Sequence, residues 1–85
     1  MRDTVSRWLA DLLVRELGIP REEVSPGATF EEVGLDLLDV FEIVEAIERG
    51  SGVMLSDAVV RELHTLGELD LAVEAVRRTA VIPAS

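Results

Sequence analysis

The apolar residues near the start of the chain recur at steps of three and four, which predicts a first helix from about Asp3 to Leu17. Six of them form one stripe on that helix: Val5, Trp8, Leu9, Leu12, Leu13 and Leu17. Gly18 can take the left-handed conformation that ends a helix, and Pro20 cannot continue one. We therefore expect the first helix to end at Leu17.

Residues 19–36 have no sustained period, and we predict a long loop there. Prolines and glycines interrupt it at Pro20, Pro26, Gly27 and Gly34. A loop of this length in a compact domain is usually functional or held down by packing. Four apolar side chains can hold it against the helices: Val24, Phe30, Val33 and Leu35. Residues 28–32 allow one helical turn within the loop.

The most apolar segment is predicted to form a second helix from Leu37 to about Arg49. Asp36 is suited to be its N-cap, and Asp39 adds a carboxylate at the positive end of the helix. At about 100° per residue, one side collects the core positions Val40, Ile43, Val44 and Ile47. The opposite side holds Leu38, Glu42, Glu45 and Arg49, with Phe41 and Glu48 between the two sides. We expect the first side to pack in the core, the second to face a partner, and Gly50-Ser51-Gly52 to end the helix.

The rest of the chain is predicted to form a short third helix and a longer fourth one. After an extended stretch at residues 53–55, Ser56 or Asp57 is expected to cap the third helix, which runs to Leu63. Thr65-Leu66-Gly67-Glu68 has the form of a capping box, which begins the fourth helix. Its apolar stripe is Leu66, Leu69, Val73 and Val76, with Arg77 and Arg78 in the last turn. Residues 79–85 are expected to be a frayed tail.

Length and composition fit one small helical domain. The chain has 85 residues, and its 48% hydrophobic content includes two Phe, one Trp and no Tyr. The core is therefore expected to consist of Leu, Val, Ile and Ala, the usual material of a small helical bundle. The predicted fold class is all-α, a four-helix bundle with three longer helices, one short helix and a long first loop.

The charge and the absent residue types narrow the possible functions. The net charge is −9, and Arg supplies all the positive charge. Such a surface repels nucleic acid and anionic membranes and favours basic patches on other proteins, or it serves solubility alone. The absence of Cys excludes disulfides, thiolate nucleophiles and Cys-based metal sites. No stretch resembles a secretion leader or a membrane span, so we expect a cytoplasmic protein.

The segment Phe30-Glu31-Glu32-Val33-Gly34-Leu35-Asp36-Leu37-Leu38-Asp39 resembles the signature of acyl and peptidyl carrier proteins. In that family an Asp-Ser-Leu sequence opens the second helix, and the Ser carries a 4'-phosphopantetheine arm. Leu37 takes the place of that Ser here. The resemblance runs from Trp8 to about Val76 and implies a single acyl-carrier-protein-like domain over residues 1–85. The spacing before Gly34 is closer to polyketide and peptide-synthetase carriers than to the fatty-acid form.

Leu37 has no hydroxyl to which the arm could be attached, so the resemblance implies a cofactor position that is not competent and no bound cofactor. The nearest hydroxyls, on Thr29 and Ser51, lie outside the motif. No catalytic residue is predicted, because an open helix face offers no apolar pocket for acid–base chemistry. We expect Asp36 and Asp39 to cap the helix and not to bind a metal, since the alternating oxygen ligands of a Ca²⁺ loop are missing.

The start of the second helix is the predicted partner-binding surface. An apolar patch of Leu37, Leu38 and Phe41 is ringed there by Asp36, Asp39, Glu42, Glu45 and Glu48. Apolar anchors inside a charged rim are common in protein interfaces. Alternatively, Leu37 and Phe41 turn inward as core, and the acids form a plain solvated face. The resemblance implies that the partner offers a basic patch, on a ketosynthase, an acyltransferase or another synthase component, to a chain that is monomeric alone.

Three functions follow from these features. The first is a carrier-like protein of polyketide, fatty-acid or nonribosomal-peptide biosynthesis that has lost its attachment Ser and docks through the second helix. The second is a working acyl carrier in which Leu replaces Ser by engineering. The third is a regulatory or lipid-binding helical module with an apolar pocket between its helices. An enzyme is not predicted, and the length and the initial Met favour a free-standing protein.

Overall fold

A computed structural model describes residues 4–80 of the chain, and these residues form an all-α bundle of four helices. The helices are α1 (Arg7–Leu17), α2 (Leu37–Ser51), α3 (Asp57–Glu62) and α4 (Leu66–Ala80). A 3₁₀ turn at Arg21–Glu23 lies in the long loop between α1 and α2. The predicted fold class, with three longer helices and one short one, is confirmed. None of the described helices is long and apolar enough to cross a membrane.

The first helix begins at Arg7, so the predicted start at Asp3 is wrong. Ser6 is the N-cap, and its side chain makes no capping hydrogen bond. Instead, the backbone N–H and the hydroxyl of Ser6 both donate to Oδ2 of Asp70 in α4, at 2.9 and 3.0 Å. This contact ties the N-cap of α1 to α4. The predicted end is confirmed, because Gly18 has a φ of 69° and its N–H donates to the carbonyl of Val14.

The long loop packs against the bundle through the predicted apolar side chains. Phe30 is buried, and the partly buried residues that pack with the core include Val24, Val33 and Leu35. The single helical turn expected at residues 28–32 is instead a hydrogen-bonded turn outside any helix. Thr29 and Glu32 bond to each other through side chain and backbone, at 2.9 and 3.0 Å, and the turn leads to Gly34 with a φ of 81°.

The loop also closes the N-terminal end of α4. The first N–H groups of a helix have no partner within the helix. In α4, the N–H of Leu66 donates to the carbonyl of Ala28, and the N–H of Gly67 donates to the carbonyl of Pro26, both at 3.0 Å. A Cβ on Gly67 would lie 2.7 Å from the Pro26 oxygen, so the two backbones approach closely because residue 67 is glycine.

The predicted capping box of α4 is confirmed. The N–H of Glu68 donates to Oγ1 of Thr65 at 3.0 Å, and Oε1 of Glu68 accepts from the N–H of Thr65 at 3.1 Å. The same oxygen accepts from the N–H of His64 at 2.6 Å. The side chain of His64 is exposed. Residue 64 therefore serves this junction through its backbone.

The core face of α2 is the one that the period predicted. Its four apolar positions, Val40, Ile43, Val44 and Ile47, are each at most 3% exposed. The helix continues two residues beyond the predicted end, through Gly50 and Ser51. The Ser51 hydroxyl donates to the carbonyl of Ile47 at 2.6 Å, which keeps this residue on the helix. Gly52, with a φ of 77°, is the residue that ends α2.

The last two helices follow the predicted pattern with small differences at their ends. Ser56 caps α3 by accepting from the N–H of Val59, and α3 ends at Glu62, one residue before the predicted end. Leu66, Leu69 and Val73 of α4 are fully buried. The helix extends to Ala80, and a frayed tail over residues 79–85 stays a prediction. The remaining tail, residues 81–85, lies outside the described residues.

Candidate functional site at the start of the second helix

Two aspartates fix the start of α2 by capping each other's backbone. The N–H of Asp39 donates to Oδ1 of Asp36 at 2.9 Å, and the N–H of Asp36 donates to Oδ2 of Asp39 at 3.1 Å. Together these bonds form a capping box, which confirms the predicted N-cap. Each carboxylate therefore uses one oxygen to hold the helix. Within residues 4–80, no group of three or more His, Asp or Glu side chains could hold a metal ion.

This capping box presents two leucines to solvent. Leu37 and Leu38 are the first two residues of α2, and they are 52% and 74% exposed. The alternative in which Leu37 turns into the core is therefore wrong. Phe41, one turn later, is partly buried and packs against the core. The exposed part of the apolar patch consists mainly of the two leucines, with Phe41 at its inner edge.

The acidic side chains around the leucines have different surroundings. Glu42 and Glu45 are exposed. Oε1 of Glu45 lies 3.9 Å from the Arg49 guanidinium, and ion pairs as exposed as this one contribute little stability. Glu48 is half-buried, and its Oε2 accepts from the N–H of Leu55 at 3.0 Å. Glu48 thus holds the segment after α2 in place, which sequence reasoning missed because this contact crosses the turn that follows the helix.

An open cleft of about 480 Å³ lies beside the leucines, between the long loop, α2 and α3. Its apolar lining is Phe30, Leu35, Leu37, Val40, Val60 and Leu63. Arg61 and His64 add basic groups to the lining, and Glu31 and Asp36 add carboxylates. Thr29 is the hydroxyl residue of this lining, and its Oγ1 accepts from the N–H of Glu32 in the loop turn. The cleft can therefore bind an apolar group noncovalently, through packing against its apolar side chains.

The site as a whole combines exposed apolar side chains with carboxylates that cap the helix. Residues 35–39 read Leu-Asp-Leu-Leu-Asp, which places apolar groups and carboxylates at the helix start. No thiol occurs in the chain, and the carboxylates of Asp36 and Asp39 each accept a backbone N–H. An exposed apolar pair inside an acidic ring is a common composition for a protein interface.

Four helices with a long first loop and an Asp-capped second helix define a carrier-protein domain. Residues 7–69 match the family model described as "Phosphopantetheine attachment site". The chain belongs to this family, and the resemblance found in the sequence is confirmed. The matched segment includes α1, the long loop, α2, α3 and the start of α4.

Two relatives show the range of proteins in which similar domains occur. The chain is 29% identical to an acyl carrier protein of Saccharopolyspora erythraea over 86 residues, which cover 99% of the chain and 90% of that protein. It is 31% identical to a non-reducing polyketide synthase of Arthrinium sp. over 77 residues, which cover 91% of the chain. The aligned segment is only 4% of that synthase.

Proposed function

We propose that this chain is a carrier-family domain that docks to a biosynthetic enzyme and does not carry a phosphopantetheine arm. Leu37 carries the proposal, because it stands where the family's motif has the attachment Ser. The arm is attached through a side-chain oxygen, and residues 35–39 include only the carboxylates of two capping aspartates. The residues present do not fit the cofactor, so no acyl thioester forms on this chain and it is not an enzyme.

The names of the two relatives support a role in polyketide or fatty-acid biosynthesis, with nonribosomal-peptide synthesis as a related setting. The proposed partner is a ketosynthase, an acyltransferase or another synthase component with a basic patch. The chain would meet this partner in the cytoplasm as a monomer. Its net charge of −9 would speed the encounter with a positive surface.

The exposed side of α2 is the proposed docking surface. Its anchors are Leu37 and Leu38, because full burial of an exposed leucine contributes about 1.5–3 kcal/mol. Glu42 and Glu45 surround the anchors and would face Arg or Lys of the partner. Asp36 and Asp39 contribute their charge at the helix start, while Phe41 and Glu48 lie at the edge of the surface.

The proposal is tested by restoring the hydroxyl. The Leu37→Ser variant is incubated with coenzyme A and a phosphopantetheinyl transferase of broad specificity, and intact mass is measured. We expect Leu37→Ser to gain one phosphopantetheine group and the unaltered chain to gain none. Leu38→Ser is the matched control, because it places a hydroxyl one residue away and should stay unmodified. Modification of the unaltered chain, or of Leu38→Ser but not Leu37→Ser, would contradict the assignment of position 37.

The cleft beside α2 favours a second candidate, the lipid-binding module. Its apolar lining and its volume of about 480 Å³ are within the range of ligand pockets, about 300–1,000 Å³. Mass spectra under native conditions, recorded for the unaltered chain and for Arg61→Met in the cleft, separate the two functions. A copurified lipid that is lost in Arg61→Met would favour the module, whereas a lipid retained in Arg61→Met, or a ligand-free chain, favours docking. The remaining alternative is a working carrier in which Leu replaced Ser by engineering. It predicts that the Leu37→Ser variant resumes acyl transfer.

Charge reversal on α2 tests the docking surface. We expect Glu42→Lys combined with Glu45→Lys to weaken binding to a synthase component that copurifies with the unaltered chain, by about tenfold or more at low salt and by less at high salt. Glu22→Lys combined with Glu23→Lys is the control for net charge, since both are exposed acids of the 3₁₀ turn and the pair changes the charge by the same amount. Titration calorimetry at two salt concentrations measures the effect. Equal weakening by this control would remove α2 from the interface.

A further inference from the structure

A second concave surface lies between α1 and the C-terminal half of α2. We call it the α1–α2 groove, and its volume is about 400 Å³. Ala46 and Gly50, one turn apart on α2, are small enough to leave it open, and a Cβ on Gly50 would meet nothing within 4 Å. Leu12 and Trp8 of α1 line it on the other side. At 1.5 Å per residue, Gly50 lies about 20 Å along α2 from Leu37, so the groove lies away from the two exposed leucines.

Two arginines line this groove although the chain is acidic. Arg15 and Arg77 both line it, and the Arg77 guanidinium lies 5.3 Å from the centre of the Trp8 ring. A cation over an indole face is attracted to it, which holds the Arg77 side chain at the groove. Asp11 also lines the groove, and its Oδ1 accepts from the Arg21 guanidinium at 2.6 Å. The Asp11 carboxylate is thus already paired with Arg21, which does not line the groove.

Arg15 is available to a ligand as well. Its bond to Glu16 is 3.4 Å long, and the two side chains are 67% and 43% exposed. Ion pairs of this kind contribute about 0–1 kcal/mol, so a ligand can replace one at small cost. Guanidinium groups bind planar carboxylates through two parallel hydrogen bonds, which suits a carboxylate ligand at this position.

We propose that the α1–α2 groove binds a single-chain amphiphilic carboxylate. Its headgroup would bond to the guanidinium groups of Arg77 and Arg15, and its alkyl chain would lie on Ala46, Gly50 and Leu12. The volume of the groove is within the range of small-molecule sites, about 300–1,000 Å³. This site does not use Leu37 or Leu38, the anchors of the proposed docking surface, although Ala46 is next to Glu45 in α2.

Trp8 makes the proposal directly testable, because it is the one Trp of the chain and there is no Tyr. Octanoate, 1-octanol and acetate are titrated separately, with Trp8 emission and calorimetry as readouts. Octanoate should bind saturably. Octanol, which lacks the charge, should bind at least about tenfold more weakly. Acetate, which lacks the chain, should not saturate. Equal binding of octanol, or no saturation with octanoate, would overturn the proposal.

Two variants locate the ligand, with calorimetry as the measure of affinity. Arg77→Met removes the charge and keeps a chain of similar length, and Gly50→Leu places a large side chain in the groove. Each should weaken octanoate binding about tenfold or more. Arg61→Met, in the cleft beside α2, should bind octanoate like the unaltered chain. Unchanged affinity in both groove variants, or a loss in Arg61→Met alone, would place the ligand elsewhere and refute the proposal. Circular dichroism confirms that each variant is folded.

Discussion

Replacing Asp70 by alanine is expected to lower the free energy of unfolding by about 2–4 kcal/mol. Asp70 is 2% exposed, on α4 between the fully buried Leu66 and Val73. Its Oδ2 accepts the backbone N–H and the hydroxyl of Ser6, which is 64 residues earlier in the chain. Alanine removes this acceptor, leaves the donors of Ser6 without it and creates a cavity on the core side of α4.

Urea unfolding followed by Trp8 emission measures this effect, and two further variants separate its causes. Ser6→Ala removes the hydroxyl and keeps the backbone donor, so it should cost only about 0.5–1.5 kcal/mol. Asp70→Asn keeps an acceptor of the same shape and should fall between the other two. The double variant Ser6→Ala with Asp70→Ala should lose less unfolding free energy than the two single variants lose in sum, because the two residues share a hydrogen bond. Strict additivity, or unchanged stability in Asp70→Ala, would mean that this contact does not hold the N-terminal segment.

A total stability of about 0.05–0.15 kcal/mol per residue is usual for proteins. A loss of several kcal/mol is therefore a large share for a chain of 85 residues. The contact between Ser6 and Asp70 joins the segment before α1 to α4, so its loss should first release the start of α1. Hydrogen exchange at Leu9 and Ala10, whose N–H groups bond to the Ser6 carbonyl, would report that release.

The same contact shows where the sequence could predict the fold and where it could not. The core face of α2 followed from the helical period, since Val40, Ile43, Val44 and Ile47 repeat at steps that only one face accommodates. The start of α1 did not follow, because it depends on a carboxylate 64 residues away. A signal was nevertheless present. Asp70 lies four residues after Leu66 and three before Val73, which places a charged residue on the buried stripe of α4.

The candidate site was also predictable in part. The Asp36 cap followed from local chemistry, and the family followed from the order of residues around it. The sequence does not distinguish an acid that is free to face a partner from one that holds the fold, because Glu42 and Glu48 are the same residue type on the same helix. Only the folded chain brings the N–H of Leu55 to the Glu48 side chain. Charge reversal at Glu48 would therefore disturb the segment after α2, and Glu45 is the better choice for a binding test.

Replacing Gly67 by alanine is expected to destabilise the domain by about 1–3 kcal/mol, against the usual direction of this substitution in a helix. Alanine normally stabilises a helix relative to glycine by about 0.5–1 kcal/mol. At residue 67, however, the added Cβ would lie 2.7 Å from the Pro26 oxygen and 3.0 Å from the Pro26 Cβ. The Gly67 N–H also donates to that oxygen. The loop can therefore move away from the added Cβ only if the hydrogen bond between Gly67 and Pro26 breaks.

Gly50→Ala is the matched control for this prediction. Gly50 is also helical, but its added Cβ would meet nothing within 4 Å, so the usual gain of about 0.5–1 kcal/mol should appear. Urea unfolding of both variants should therefore give changes of opposite sign. If Gly67→Ala were as stable as Gly50→Ala, the close approach of the loop to α4 would be wrong. Destabilisation by both would instead indicate that alanine disturbs these helices for a reason other than the contact with Pro26.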